Sequence, residues 1–145
     1  MIRRFLRLVT TSLLIVVMGA CGNNAWEELP SSIVAFVTQY FPYGEIQSYT
    51  ESSEGSVVKV KNGATLAFDK NYAWTDVNGN GVPLPGDFLF DQLPGDLYDY
   101  IESIEGVGDV YRVSRRSRIV TVEMLDNTLT YDEITGTITY PAARG

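Results

Sequence analysis

An internal repeat constrains the fold of this 145-residue chain more than any other feature. The stretch from Leu29 to Asp69 opens with LPSSIVAFVTQY and continues through the alternating run SVVKVKNGATLAFD. From Leu93 the chain opens again with LPGDLYDYIESI and continues with RIVTVEMLDNTLTYD. The offset is 64 residues over most of the roughly 40 aligned positions, and it falls to 63 at Asp132. Such self-similarity predicts two copies of one structural unit within a single domain.

Each repeat begins with the spacing of an amphipathic helix. Apolar residues recur at i, i+3, i+4 and i+7, which places them on one helical face; the sets are Ile33, Phe36, Val37, Tyr40 and Leu97, Tyr100, Ile101, Ile104. Pro30 and Pro94 open these helices, because proline is tolerated in the first turn, where its missing N–H is not needed. Pro42 and Gly106 end them.

Strands follow each helix. The run around Asn62-Gly63 alternates apolar and polar residues, and Asn-Gly is a strong hairpin signal. The predicted buried positions are Val58, Val60, Leu66, Phe68 and, in the second repeat, Val120, Val122, Met124, Leu129, Tyr131. Further short strands are predicted at 46–51, 72–75, 110–113 and 136–140. One apolar and one wetted face predict an α+β fold, in which an antiparallel sheet carries helices on one face.

The domain plan follows from these elements. Residues 1–20 are predicted to be a signal peptide of lipoprotein type, and 21–28 a polar tether. Residues 29–140 are predicted to form one domain, made of repeats 29–75 and 93–140. The Gly/Pro-rich segment 76–92 is predicted to be a link, which the apolar patch Phe88 to Phe90 holds to the body.

The N-terminal residues carry an export signal. Arg3, Arg4 and Arg7 precede an apolar run of roughly 11 residues, which is too short for the ~20 that cross a bilayer. The run ends in Met-Gly-Ala-Cys, and Cys21 is the single cysteine of the sequence. This arrangement resembles the lipobox of bacterial lipoproteins, in which the cysteine is acylated and anchors the mature chain. The alternative is an ordinary secretory signal with a chance cysteine.

The charge balance excludes one class of partner. The chain contains 11 basic and 18 acidic residues, and removal of the three leader arginines would leave 8 against 18. An acidic mature domain repels phosphate backbones, so nucleic-acid binding is not expected. Membrane attachment would come from lipid on Cys21 and not from a basic surface.

The motifs along the chain resemble those of PepSY-like proteins, also described as β-lactamase-inhibitor-like domains of exported proteins and lipoproteins in Bacteroidetes-type bacteria. The matching residues are Leu29, Pro30, Ile33, Phe36, Val37, Tyr40, Phe41, Pro42, Asn62, Gly63, Phe68, Asp69, Trp74, Val77, Gly81, Val82 and Pro83. The second repeat departs from the pattern at Ile104 to Gly106, at Asp126-Asn127 and at Tyr131. The resemblance implies tandem units of a helix followed by antiparallel strands, and it implies no particular reaction.

The residue inventory argues against most catalytic sites. The sequence contains no histidine, so Ser-His and Cys-His pairs and His-based zinc sites are excluded. No glycine-rich phosphate loop or nucleophile-elbow motif occurs, and no cofactor is expected. A hydrolase that uses two carboxylates stays open as a minor alternative, because acidic residues are plentiful.

One segment has the pattern of a calcium loop. Its oxygen donors and its glycine stand at positions 1, 3, 5, 6 and 12; they are Asp76, Asn78, Asn80, Gly81 and Asp87. Pro83 and Pro85 stiffen the segment, and no flanking helices are predicted. A plain linker is favoured over a calcium-binding or small-ligand-binding module, which stays as the alternative function.

The wetted sheet face is the candidate binding surface. The residues predicted to face away from the helices are Lys59, Lys61, Thr65, Thr121, Glu123, Thr128 and Thr130. Proteins of β-lactamase-inhibitor shape dock a partner on such a face, so the resemblance implies binding of an envelope protein or peptide. The preferred function is a non-enzymatic, lipid-anchored envelope protein that binds such a partner, with inhibition as one form of that action.

Overall fold

Helices and antiparallel strands follow one another as the repeat predicts. The computed structural model describes residues 29–42, 44–104 and 106–140. The predicted signal peptide, Cys21 and the tether lie outside the described residues. Eight strands and three α-helices occupy the described ranges, and every strand pair within a unit is antiparallel, so the α+β fold class is confirmed.

The chain divides into two compact units, with the boundary between Trp74 and Thr75. The elements of the first unit are α1 (Ser31–Tyr40), β1 (Ile46–Ser52), β2 (Gly55–Val60) and β3 (Thr65–Phe68). Strand β4 (Trp74–Asn78) crosses the boundary. The elements of the second unit that follow it are α2 (Gly86–Gln92), α3 (Gly95–Ile104), a 3₁₀ turn (Val107–Asp109), β5 (Val110–Arg116), β6 (Ile119–Met124), β7 (Thr128–Asp132) and β8 (Ile138–Thr139).

In the first unit, one side of the strands is buried together with one side of α1. Val58 is paired with Tyr49 and with Leu66, and all three are buried. Ile33 and Val37 of α1 are fully buried as well. The Phe36 ring meets the Phe68 ring edge to face, with centroids 5.3 Å apart, which places α1 on the apolar side of these strands.

In the second unit, α3 is packed in the same way. Its Leu97 and Ile101 are fully buried, as are Val113 and Val122 of the strands. The hydroxyl of Tyr131 donates to both carboxylate oxygens of Asp96, at 2.9 and 3.1 Å, and ties β7 to the first turn of α3. This hydrogen bond, with burial next in importance, raises the pKa of Tyr131.

The repeat extends to the turn that ends each unit's third paired strand. Asp69 Oδ1 accepts the backbone N–H groups of Asn71 and Ala73. Asp132 Oδ1 accepts those of Ile134 and Thr135. Aspartate favours such turns because its short side chain can bind backbone donors a few residues ahead. Burial opposes ionisation of Asp132, but these N–H groups and Arg118 lower its pKa below the ordinary value.

The segment predicted as a link contains regular structure. Its first residues, Asp76 to Asn78, complete β4, and Gly86–Gln92 form α2. Phe88 and Leu89 are fully buried, which agrees with the predicted apolar patch, whereas Phe90 is 68% exposed. The sequence analysis missed α2 because seven residues are too few for helical periodicity to appear, and Gly86 disfavours a helix.

Candidate functional site

The strands of the second unit present a polar face on the side opposite α3, which we call the open face. Pairing aligns four hydroxyl residues directly across β5, β6, β7 and β8, and these form the hydroxyl row: Ser114, Thr121, Thr130 and Thr139. Their neighbours along the strands, such as Val113, Val120 and Leu129, are fully or almost fully buried. Alternation along each strand therefore separates the core from the open face.

A cluster of three charges, which we call the charged cluster, lies beside the hydroxyl row. Arg112 Nε donates to Asp76 Oδ1 at 3.0 Å, and Nη2 donates to Oδ2 at 2.7 Å. The same guanidinium lies 3.8 Å from Glu123 Oε2. The two-point hydrogen bond to Asp76 outweighs desolvation and raises the pKa of Arg112. The cluster is part-buried, since the Asp76 side chain is 29% exposed and that of Arg112 is 39% exposed.

The register explains how these residues meet. Asp76 of β4 is paired with Ser114, and Asn78 with Arg112, so both β4 side chains point to the open face. Arg112 is in turn paired with Glu123. A bidentate guanidinium–carboxylate pair has a fixed geometry, which orients the donors that Arg112 presents to solvent.

The predicted surface residues fall into two groups. Thr121, Glu123, Thr128 and Thr130 lie together on the open face of the second unit. Lys59 and Thr65 are paired with one another in the first unit, on the side away from its buried residues. Lys61 follows the end of β2, and its ammonium lies 3.9 Å from a Glu45 carboxylate oxygen.

The sequence analysis missed four members of the open face, namely Asp76, Arg112, Ser114 and Thr139. Asp76 had been placed in the link, because β4 was expected to stop at Thr75. Arg112 lies within the predicted strand 110–113, but it was assigned no role on a face. Ser114 lies just beyond that strand, whereas β5 extends to Arg116. The repeat offset could have identified two of these residues, since Ser114 corresponds to Thr50 and Arg112 to Ser48 of β1.

Two donors of the calcium pattern, Asp76 and Asn78, are already hydrogen-bonded within the chain. Both Asp76 oxygens are bound by Arg112, and Asn78 Oδ1 accepts the N–H of Asn80 at 2.8 Å. A strand, and not a helix, precedes this segment, while Asp87 belongs to the first turn of α2. Within the described ranges, no group of three or more acidic, cysteine or histidine side chains could hold a metal ion.

Two places among the described residues bear on a two-carboxylate hydrolase. Asp76 and Glu123 share the open face, but Arg112 lies between them: it binds both oxygens of Asp76 and lies 3.8 Å from Glu123 Oε2. In the first unit, an open depression of about 300 Å³ is lined by Gly44, Glu45, Lys61 and Asn62, so it contains a single carboxylate. Neither place brings together the two acidic groups of a glycosidase-type site.

Comparison with known proteins supplies structural neighbours only. No family model matches the chain, and no curated protein matches it. Two solved structures align with a TM-score of 0.69 and 18% identity, and each covers 81% of this chain and 93% of its own. One, from Bacteroides vulgatus, is described as a candidate periplasmic protein of the DUF2874 family. The other, from Bacteroides thetaiotaomicron, is described as a candidate calcium-regulated periplasmic protein.

A third solved structure has the same fold. It is a candidate periplasmic protein of unknown function from Bacteroides vulgatus, with a TM-score of 0.67 and 13% identity. The alignment covers 88% of this chain and 99% of that one. In the part of the chain that the structure describes, no helix is both long and apolar enough to span a membrane. The chain therefore shares its fold with proteins described as periplasmic.

Proposed function

We propose that this chain is an exported, non-enzymatic envelope protein, anchored by lipid on Cys21, that binds another protein or peptide through the open face of its second unit. The export signal and the periplasmic descriptions of the structural neighbours support the location. The resemblance of residues 29–140 to PepSY-like proteins supports the same placement. The partner is an envelope polypeptide, and inhibition of a hydrolase is the form of action that the resemblance suggests.

The hydroxyl row carries this proposal. Four Ser or Thr side chains follow one another across β5 to β8 at the inter-strand spacing of ~4.8 Å. Short hydroxyls both donate and accept hydrogen bonds, and they lose little rotamer freedom when they are covered. A flat array of this kind suits the alternating N–H and C=O groups of a polypeptide.

The charged cluster would give the surface its selectivity. Arg112 is held by Asp76 and also faces Glu123, so its position beside the hydroxyl row is fixed before a partner arrives. A partially exposed guanidinium in a fixed orientation favours a partner that offers a carboxylate or carbonyl oxygen there. Arginine is also enriched among the residues that dominate protein–protein interfaces.

Site-specific crosslinking in the native envelope tests the proposal. A photo-reactive residue at Thr121 should capture one protein, identified by mass spectrometry. The same residue at Asp99, an exposed position on α3, should not capture it. Thr130→Arg should abolish the capture from Thr121, because a long cation would interrupt the hydroxyl row, whereas Thr38→Arg on α1 should leave it unchanged.

The proposed binding surface is wrong if the same protein is captured equally from Thr121 and Asp99, or if Thr130→Arg has no effect. Intact-mass analysis of the mature N-terminus tests the anchor separately. A diacylated cysteine at the first position supports lipidation, and an unmodified or absent Cys21 contradicts it. The two measurements are independent, because the binding surface can exist without lipid on Cys21.

A further inference from the structure

Among the described residues, strand β1 has a strand partner on one edge only. It has seven residues and is the terminal strand in the pairing order, with β2 as its partner among the described residues. The other terminal strand, β8, has two residues. Proteins usually shorten, bend or charge an edge strand, because its unpaired N–H and C=O groups attract another strand. A bulge bends β1 between Ile46 and Ser48, but Ser48 to Ser52 pair regularly with β2.

Two hydrogen bonds at the end of β2 show which backbone groups of β1 face the edge away from β2. Val60 N–H donates to Ala64 O on the β3 side, whereas Lys61 N–H donates to Glu45 O on the β1 side. Successive residues of a strand direct their N–H and C=O groups to opposite sides. Lys59, two residues before Lys61, therefore directs its groups to β1, where its partner is Ser48.

The same alternation along β1 gives the residues that face outward. Val57 is bonded to its partner Thr50 in the same way as Lys59 is to Ser48, so Ser48 and Thr50 use their backbone groups on β2. Tyr49 and Glu51 consequently direct their N–H and C=O groups to the edge away from β2. Each copy of the chain thus presents four backbone groups in a row.

We propose that two copies of this chain join edge to edge through antiparallel pairing of β1, with the two-fold axis between their Thr50 residues. In this register Tyr49 of each copy stands opposite Glu51 of the other, and the outward groups form four hydrogen bonds. The bulge at Ile46–Ser48 lies beyond the hydrogen-bonded residues, so it does not interrupt the ladder.

The side chains favour a second copy as the occupant. On the solvent side, Thr50 would meet the second copy's Thr50, and Ser48 would meet its Ser52, so small hydroxyls contact one another across the axis. The one charge of β1, Glu51, would face Tyr49 and not a like charge. An isologous contact of this kind requires a self-complementary edge, which this register supplies.

Cysteine crosslinking of the full chain in the envelope tests the pairing. Residues opposite each other at a non-hydrogen-bonded antiparallel position have Cα atoms ~4.5 Å apart, within the range for a disulfide. Thr50→Cys should therefore give a covalent dimer on a non-reducing gel. Lys59→Cys, exposed on the same side but one strand further in, is at least three strand spacings (~14 Å) from its counterpart and should give none.

A second pair of variants separates edge pairing from chance collision. In the Thr50→Cys background, Glu51→Pro removes an N–H that faces the edge and so leaves the β1–β2 ladder intact. It should reduce the dimer at least tenfold, whereas Glu51→Gln, which keeps the N–H, should not. Thermal unfolding checks that both variants stay folded. A mass measurement on the mature chain should show that Thr50→Lys shifts the dimer toward monomer, since two ammonium groups would meet at the axis.

Absence of a Thr50→Cys dimer, equal crosslinking of Lys59→Cys, or full crosslinking of folded Glu51→Pro overturns the proposal. None of these outcomes affects the proposed binding surface, which lies on the second unit.

Discussion

In the first unit, Ser48, Lys59 and Thr65 cross the solvent-facing side of the strands; in the second unit, Arg112, Glu123 and Thr128 hold the corresponding places. The lysine thus becomes a glutamate, and a serine becomes the arginine at the centre of the charged cluster. The buried positions hardly change, since Val58 and Val122 are both fully buried valines at the repeat offset. The core preserves the scaffold, whereas the outer faces differ in charge and in hydrogen-bonding groups.

The two units also attach the helix to the strands by different chemistry. In the first unit the contact is apolar, between the rings of Phe36 and Phe68. In the second unit the counterpart of Phe68 is Tyr131, which donates to Asp96. Two chemically different contacts therefore perform the same task. The contact between Tyr131 and Asp96 contains ionisable groups and therefore depends on pH, whereas the ring contact between Phe36 and Phe68 does not.

The helices differ in charge as well. Helix α1 contains no charged residue, whereas Gly86–Ile104, which spans α2 and α3, contains five acidic residues and no basic one. Four of the unit's basic residues are concentrated instead in the β5–β6 hairpin: Arg112, Arg115, Arg116 and Arg118. The second unit thus combines negative helices with a strand face on which Arg112 lies between two carboxylates, Asp76 and Glu123.

Truncation of matched core residues should have the largest effect. Ile33→Ala and Leu97→Ala remove fully buried side chains at the same place in the two helices. Each should lower the free energy of unfolding by about 2–5 kcal/mol, from lost burial and the cavity left behind. Denaturant unfolding followed by tryptophan fluorescence measures this, with the exposed Thr38→Ala as the control, which should change it by less than about 0.5 kcal/mol. If either variant lowered the free energy of unfolding by less than about 1 kcal/mol, Ile33 and Leu97 would not be equivalent core positions of the two repeats.

Removal of the arginine should distinguish the two outer faces. Arg112→Ala leaves Asp76 without its two-point partner and should cost about 1 kcal/mol, a modest value because the pair is partly exposed to solvent. Ser48→Ala, at the corresponding place in the first unit, should stay within about 0.5 kcal/mol. Arg112→Lys should fall between, because lysine keeps the charge and loses the bidentate geometry. If Arg112→Ala and Ser48→Ala lowered the free energy of unfolding equally, the charged cluster would not stabilise the second unit more than the corresponding place stabilises the first.

The tyrosine tie predicts an alkaline loss of stability in the second unit, in addition to the loss expected from Tyr49 of the first unit, whose pKa is raised by burial. Since the pKa of Tyr131 is raised by its hydrogen bond to Asp96, its contribution is complete below the ordinary tyrosine pKa of about 10 and is lost as pH rises through the folded-state value. Tyr131→Phe should reduce the alkaline loss of stability and leave the part that comes from Tyr49. At neutral pH it should lower the free energy of unfolding by less than Arg112→Ala does. Unfolding midpoints between pH 8 and 11 provide the measurement. Asp96→Asn should also reduce the loss and Asp99→Asn should not.

Calcium should have the smallest effect. Arg112 is hydrogen-bonded to both Asp76 oxygens, and the Asn80 N–H donates to Asn78 Oδ1. Isothermal titration with millimolar calcium should therefore give no saturable heat. The unfolding temperature should also be unchanged by calcium. A saturable heat that disappears in Asp76→Asn would show that the segment rearranges to bind calcium. The charged cluster would then exist only in the absence of calcium, because the ion would replace Arg112 on Asp76.

The extent of sequence-based prediction differed between the core and the surface. Period-2 alternation identified Val58, Leu66, Val122 and Leu129 as buried, since a strand that covers a core must be apolar on every second residue. The same alternation put Thr121 and Thr130 on the opposite side. The alternation gave no information about β4 beyond Thr75, because Asp76 and Asn78 are polar residues that are common in turns. It also missed α2, whose seven residues are too few for a helical period.

The sequence by itself determined the two-repeat scaffold and the side of each strand that is buried, whereas the leader that ends at Cys21 stays a prediction. It could do so because hydrophobic periodicity and an internal repeat are properties of neighbouring residues along one chain. Only the tertiary structure decided that Asp76 meets Arg112, 36 residues away, and that Tyr131 meets Asp96, 35 residues away. Such pairs depend on strand register and on helix placement, which bring distant residues within hydrogen-bond distance. The charged cluster and the edge of β1 away from β2 arise from those pairings, and the proposed functions of this protein depend on them.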